Sequence, residues 1–137
     1  MANFDAKAAV EVLNKILEAE LAGVVRYTHY SFLVFGFGRI PIVSWLRAQA
    51  NESLAHATEA GEWITTLGAH PSLQIGRLLE GHKHDIGDVL RESLDAESEA
   101  LRLYHELLKL VEGRHVALEE FSRQMIHAEE MHAAEVN

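Results

Sequence analysis

The sequence predicts an all-α fold, a four-helix bundle of two antiparallel helical hairpins joined by one long crossover. Three observations predict it. Proline occurs only at Pro41 and Pro71, and most glycines gather at Gly36-Phe37-Gly38, Gly68, the stretch from Gly76 to Gly87, and Gly113, which cuts the chain into four long segments. Each segment places apolar residues at alternating four- and three-residue steps. Strand-like patterning is confined to the short apolar run Ile40 to Val43, which Pro41 interrupts. At 137 residues, the chain reads as one domain spanning positions 1–137, long enough to bury a single core without disulfides.

The first helix is expected from about Asp5, whose short carboxylate suits an N-cap, to about Phe35, where two glycines end it. The second begins near Pro41, a residue suited to a first helical turn, and ends at Leu67-Gly68. Residues 69–85 form the crossover, with a short turn of helix expected at Leu78-Leu79. The third helix is expected from about Asp88 to Glu112. After the break at Gly113-Arg114-His115, the fourth runs from about Val116 to the end.

Composition narrows the function. There is no cysteine, which removes zinc-ribbon, iron–sulfur, disulfide and thiol-nucleophile chemistry. Twelve Lys and Arg against 21 Asp and Glu give a net charge of −9, which repels phosphate backbones and anionic lipid, so neither nucleic acid nor a membrane is an expected partner. No apolar stretch is long enough to span a bilayer and no leader pattern opens the chain, so the expected location is cytoplasmic. Nine histidines keep metal ligation in view.

The informative residues are the polar ones on apolar faces. The third helix reads Leu90, Leu94, Glu97, Leu101, Tyr104, Leu108, Val111, and the first reads Leu13, Leu17, Glu20, Val24, Tyr27, Ser31, Val34. In the fourth, Glu129 and His132 follow Leu118, Phe121 and Met125; in the second, Glu52 and His56 lie between Trp45 and Trp63. A carboxylate on a core-facing seam costs several kcal/mol unless something positive neutralises it. Each of the four helices carries such an intruder, and well-placed Lys or Arg are too few to pair them off. Glu129 and His132, three residues apart, project from one face. Carboxylates with one imidazole per ion suit iron or manganese, and zinc fits the same residue types. A metal ion, or two, between the helices is the expected neutralising charge. The competing reading is a metal-free helical interaction module with a hydrogen-bonded core.

These residues resemble the ferritin-like superfamily, and bacterioferritin within it, over nearly the whole chain. The similarity is carried by Leu13-Asn14-Lys15-Ile16-Leu17 with Glu20-Leu21 and Tyr27, by His56-Ala57 with Leu67-Gly68 and Pro71-Ser72-Leu73, by Leu94-Asp95-Ala96-Glu97, and by Glu129-Glu130-Met131-His132. The resemblance implies a di-iron site of Glu20, His56, Glu97, Glu129 and His132, with Tyr27 beside it as a hydrogen-bonding or redox-active catalytic residue. The sixth position departs from the pattern. The family has a Glu three residues before the histidine of the second helix, where this chain has Ser53. Glu52 is the nearest carboxylate and is taken as the sixth metal ligand, brought into register by a π-bulge, with Glu59 and Glu62 as fallbacks. The other outcome is an open second metal site.

Two further departures shape the expectation. The methionine that holds haem between subunits in the family is replaced by Leu54, so no haem is expected. The short fifth helix of the family does not appear by Asn137, so a homodimer packed along the first two helices, or a higher homo-oligomer, is expected in place of the family's closed shell, with Phe32, Phe35, Phe37 and Trp45 as its apolar surface. His82 and His84 are expected to be exposed in the crossover, His29, His105, His115 and His127 have no ligand partner at convincing spacing, and Tyr104 reads as plain core. The expected function is a ferroxidase-type oxidoreductase that binds two ferrous ions and oxidises them with O2 or peroxide. The alternative within the same chemistry is a stable di-metal oxidase or peroxide scavenger without iron storage.

Overall fold

The structure, a computed structural model, describes residues 4–78 and 85–136. Four helices account for the regular structure of these residues: α1 (Ala6–Leu33), α2 (Arg39–Thr66), α3 (Ile86–Val111) and α4 (Val116–Val136). Five-residue and four-residue links fold α1 against α2 and α3 against α4 as antiparallel hairpins. Tyr27 and Glu20 of α1 bond to Glu97 and Tyr104 of α3, respectively, which makes those two helices antiparallel as well.

The ends follow local chemistry. Asp5 caps α1 by accepting from the Ala8 N–H at 3.0 Å, as its residue type suggests. Asp85 does the same for α3 through Asp88 N–H at 2.9 Å, so α3 begins two residues before the position expected from Asp88. At the end of α2, Gly68 adopts φ 82° and donates to the Thr65 carbonyl, a left-handed exit that favours glycine. Arg39 opens α2, which leaves Pro41 inside the first turn. Leu78 is irregular rather than helical; Leu79, His82 and His84 of the crossover, and Asn137, lie outside the described residues.

The crossover is laid along α1. Ser72 N–H donates to Asn14 Oδ1 at 2.8 Å, Gly76 N–H to the Glu18 carbonyl at 2.8 Å, and Arg26 Nη1 to the Arg77 carbonyl at 3.3 Å. A Cβ at Gly76 would sit 3.1 Å from that Glu18 carbonyl, so the glycine permits the close approach.

Apolar burial falls into two clusters. One is built on Leu13, Ile16, Ile64, Leu107 and Leu118, and the other on Tyr27, Tyr30, Val43, Leu46 and Val89. Between them the four helices contribute Glu20, His56, Glu97, Glu129 and His132, all buried. The α3 face is turned from the expected one. Leu90, Leu94, Leu101 and Leu108 are only half-buried, while Val89, Ser93, Ala100, Leu103 and Leu107 join Glu97, Tyr104 and Val111 inside. Because α3 packs on both α1 and α4, it buries a stripe wider than one row, and the leucine row is one edge of it. No helix among the described residues is long and apolar enough to cross a membrane.

Candidate metal centre

Each of the five buried polar groups is delivered by a different stretch of helix. Glu20 comes from α1, His56 from α2, Glu97 from α3, and Glu129 and His132, one turn apart, from α4. Two groups of three result, Glu20–His56–Glu129 and Glu97–Glu129–His132, within each of which one potential ligand atom per residue lies within 4.8 Å of the others. Glu129 belongs to both and is only 2% exposed.

The two halves match each other. His56 Nδ1 lies 2.9 Å from Glu20 Oε2 and 3.5 Å from Glu129 Oε1. His132 Nδ1 lies 3.7 Å from Glu97 Oε2 and 3.8 Å from Glu129 Oε2. The imidazole rings stack with centroids 6.4 Å apart. Tyr27 of α1 donates to Glu97 Oε1 at 2.5 Å, and Tyr104 of α3 donates to Glu20 Oε2 at 2.6 Å. Each tyrosine therefore holds the carboxylate of the opposite helix. Tyr104 is core by burial, as expected, but its hydroxyl is part of the site. The signal was present in the sequence: Glu20 precedes Tyr27 by seven residues, and Glu97 precedes Tyr104 by the same step.

Glu52 stands elsewhere. Its carboxylate is 40% exposed and lies on the outer side of both imidazoles, with Oε2 2.8 Å from His132 Nε2 and Oε1 3.8 Å from His56 Nε2. It belongs to neither group of three. The helix between Glu52 and His56 is regular α-helix, without the expected π-bulge. Ser53 is buried against α1, where a Cβ on Gly23 would come within 2.9 Å of its Oγ. Glu59 and Glu62 are exposed.

Electrostatics reflect three buried carboxylates with no Lys or Arg ion pair among the described residues. The carboxylate of Glu97, against the cost of burial, and then that of Glu52 push His132 up to about 9. For His56, burial pulls downward, but the Glu20 hydrogen bond and charge, with Glu52 and Glu59, outweigh it and the net shift is upward. Burial and then the neighbouring glutamates raise both Tyr27 and Tyr104, which keeps them protonated donors. Glu129 Oε2 and His132 Nδ1 are buried without a hydrogen-bond partner. Two orphaned ligand atoms facing each other across a set of hard carboxylates are what a divalent cation would satisfy.

A family model for the ferritin-like domain matches residues 10–137. Among solved structures, a Rhodobacter capsulatus bacterioferritin, with a metal-free dinuclear site and its haem iron in a crystallographic special position, is 26% identical with TM-score 0.87, over 98% of this chain and 84% of its own. A ferritin-like, diiron-carboxylate protein from Bacillus anthracis strain Ames is 24% identical with TM-score 0.91, over 98% of this chain and 96% of its own. The bacterioferritin-related protein of Bacteroides fragilis, a dodecameric thioferritin, is 21% identical with TM-score 0.84, over 97% of this chain and 84% of its own. No curated protein matches the chain.

Proposed function

The chain belongs to the ferritin-like family, and on that premise we propose that it is a di-iron carboxylate protein of bacterioferritin type, which binds ferrous iron and oxidises it with O2 or peroxide. One observation carries the reading: Glu129, almost fully buried, is common to two groups of three ligand-type residues and has an oxygen with no partner. Glu20 and His56 would hold one ion, Glu97 and His132 the other, and Glu129 both. A pair of irons supplies two one-electron oxidations at a single site.

The chain's own part is positioning and charge. Tyr27 and Tyr104 each fix one carboxylate by a short O–H donation, so Glu97 and Glu20 are already oriented before any ion arrives. Both imidazoles turn Nδ1 inward and Nε2 toward Glu52. Glu52 would then accept from the outer N–H of each ring and leave the inner nitrogen free to bind. In this role Glu52 serves both halves without being a ligand, and Ser53 leaves the position next to it without a carboxylate. Leu54, half-exposed on α2, carries no thioether, so haem has no part in the reading. Zinc or manganese would fit the same donors.

Phe32, Phe35, Phe37 and Ile40 stand exposed at the α1–α2 end of the bundle, whereas Trp45, expected among them, is half-buried against the Tyr27 cluster; association with further copies of the chain through the exposed residues is part of the reading. A ferrous substrate fits a reducing compartment, and the cytoplasm is the proposed location.

The test is anaerobic titration with ferrous ion followed by rapid mixing with air-saturated buffer. Two ions per chain and a fast rise in ferric absorbance are expected. Absence of the fast phase, or its survival in a Glu129→Ala, His132→Ala double variant, overturns the reading. A ferric product that stays bound as a persistent chromophore would assign the centre to the stable oxidase type.

A further inference from the structure

The match between the two halves of the centre breaks at one position. Glu20, Tyr27 and His56 of the α1–α2 hairpin correspond to Glu97, Tyr104 and His132 of the α3–α4 hairpin, with the tyrosine donations exchanged between them. Glu129, the acid common to both groups of three, stands three residues before His132. Its counterpart, three residues before His56, is Ser53, which is buried but belongs to neither group. Ser53 lies against Gly23 of α1, so the two residues meeting there carry one hydroxyl where the other half carries a carboxylate. Glu52 does not replace that acid, since its oxygens lie by the outer nitrogens of the imidazoles.

The missing acid leaves both a charge and donor positions uncovered. Two divalent ions carry one positive charge more than Glu20, Glu97 and Glu129 neutralise. Glu52 is 40% exposed and stands a ring's width from the inner nitrogens, so water screens most of its charge. Each ion would also draw on one imidazole and two carboxylates, fewer donor residues than an octahedral shell has places. An uncompensated charge in a buried layer is costly and draws a counter-ion from solvent.

We propose that Ser53 opens the centre to a small exogenous monocarboxylate, which takes the place of the absent acid and binds the metal pair from the α2 side. This rests on the two-metal reading of the centre. A carboxylate brings one negative charge and two hard oxygens, the same set that Glu129 offers from α4. Acetate is about the portion of a glutamate side chain that serine lacks, and the Ser53 hydroxyl can donate to it. An untethered anion need not start from the backbone beside Gly23, where a longer side chain would be crowded. Its approach is from the side of Glu52, because Ser53 and His132 keep 8% and 9% of their surface exposed while Glu129 keeps 2%.

Full-length protein loaded with cobalt in a carboxylate-free buffer would be titrated with acetate and with acetamide, following the visible absorbance of the metal. Acetate is expected to shift the spectrum along one saturating curve with a dissociation constant of about 10 mM or tighter. Acetamide, of the same shape without the charge, should leave the spectrum unchanged. Ser53→Asp supplies the acid from the chain itself, so it should keep two cobalt ions and weaken acetate about tenfold or more. Glu52→Gln should bind acetate as well as wild type does. The proposal fails if protein holding two cobalt ions shows no saturation, which would leave the position to water-derived hydroxide. It fails equally if acetamide acts as acetate does, or if Ser53→Asp takes up acetate undiminished. A response found only in Glu52→Gln would make Glu52 the fourth carboxylate and overturn it too. Wild type that binds fewer than two cobalt ions overturns the two-metal reading, and this inference with it. Should Ser53→Asp not fold, acetate against acetamide on wild type and Glu52→Gln decides the matter.

Discussion

Tyr104 and Glu20 meet across α1 and α3 at 2.6 Å, the counterpart of Tyr27 and Glu97 at 2.5 Å on the same pair of helices. The exchange ties the two helices together at the level where their carboxylates face inward. Tyr104→Phe removes the donor and frees Glu20 to rotate. Affinity for a divalent ion is expected to fall by about 10–100-fold, as when a partner that orients a ligand is lost elsewhere. Tyr27→Phe should do the same at Glu97. Cobalt titration followed by visible absorbance reads both, and a Tyr104→Phe affinity equal to wild type would return Tyr104 to a packing role.

Glu129→Ala takes away the residue common to both halves. Bound metal should drop from two ions per chain to well below one, measured by elemental analysis after gel filtration. The metal-free variant should melt no lower than metal-free wild type, since a desolvated carboxylate with one oxygen outside any hydrogen bond has been removed. Wild type should gain about 2.7 kcal/mol per bound ion at a metal concentration one hundred times Kd, and the variant should gain almost none.

Glu52→Gln separates two roles for that side chain. If Glu52 orients the imidazoles from outside, stoichiometry stays at two ions while affinity falls by about 10–100-fold. If it is itself a ligand, one ion is lost outright. Ser53→Glu is expected to be destabilising, because Ser53 already lies against the bare face of Gly23. Thermal melting and metal counting on the two variants distinguish these outcomes.

A pH effect follows from His132, whose pKa in the fold, about 9, lies above its ordinary 6.5. A raised value means the protonated ring stabilises the folded, metal-free chain. That contribution is complete below about 6.5 and is lost as pH climbs through about 9. His56, also raised, adds in the same direction. Metal-free protein should therefore melt progressively lower across this interval, while metal affinity increases as the proton is displaced. A flat melting profile from pH 6 to about 9.5, or one unchanged by His132→Gln, would contradict the assignment.

The helices and most of the site could be read from the chain because the decisive signals are local. Gly68 and Gly113 follow the caps of α2 and α3 with positive φ, Gly36 turns the chain two residues beyond the extended cap Val34 of α1, and Asp5 caps α1 through its own side chain. The buried ligand-type residues were visible as breaks in apolar rows. What escaped was set by neighbours. The inward face of α3 depends on its packing against two helices, which a single row of leucines does not report. Tyr104 looked apolar because its partner, Glu20, is 84 positions away, although the repeated seven-residue step to Tyr27 and Tyr104 hinted at it. Glu52 shares a helix face with His56, yet spacing does not say that its oxygens reach the outer nitrogen rather than the inner one. Arg26 gave no sign, since the carbonyl it meets, that of Arg77, is 51 positions away in the crossover.

The charged layer between the two apolar clusters gives the bundle a waist. Each half can consolidate around its own oily residues, but the junction holds three buried acids that only the imidazoles and tyrosine hydroxyls temper until a metal arrives. Amide protons flanking Glu20, His56 and Glu129 should consequently exchange faster in the metal-free chain than those at either end of the same helices, and slow on loading. Metal here would be a rivet as well as a reactant, welding two half-cores into one cooperative unit.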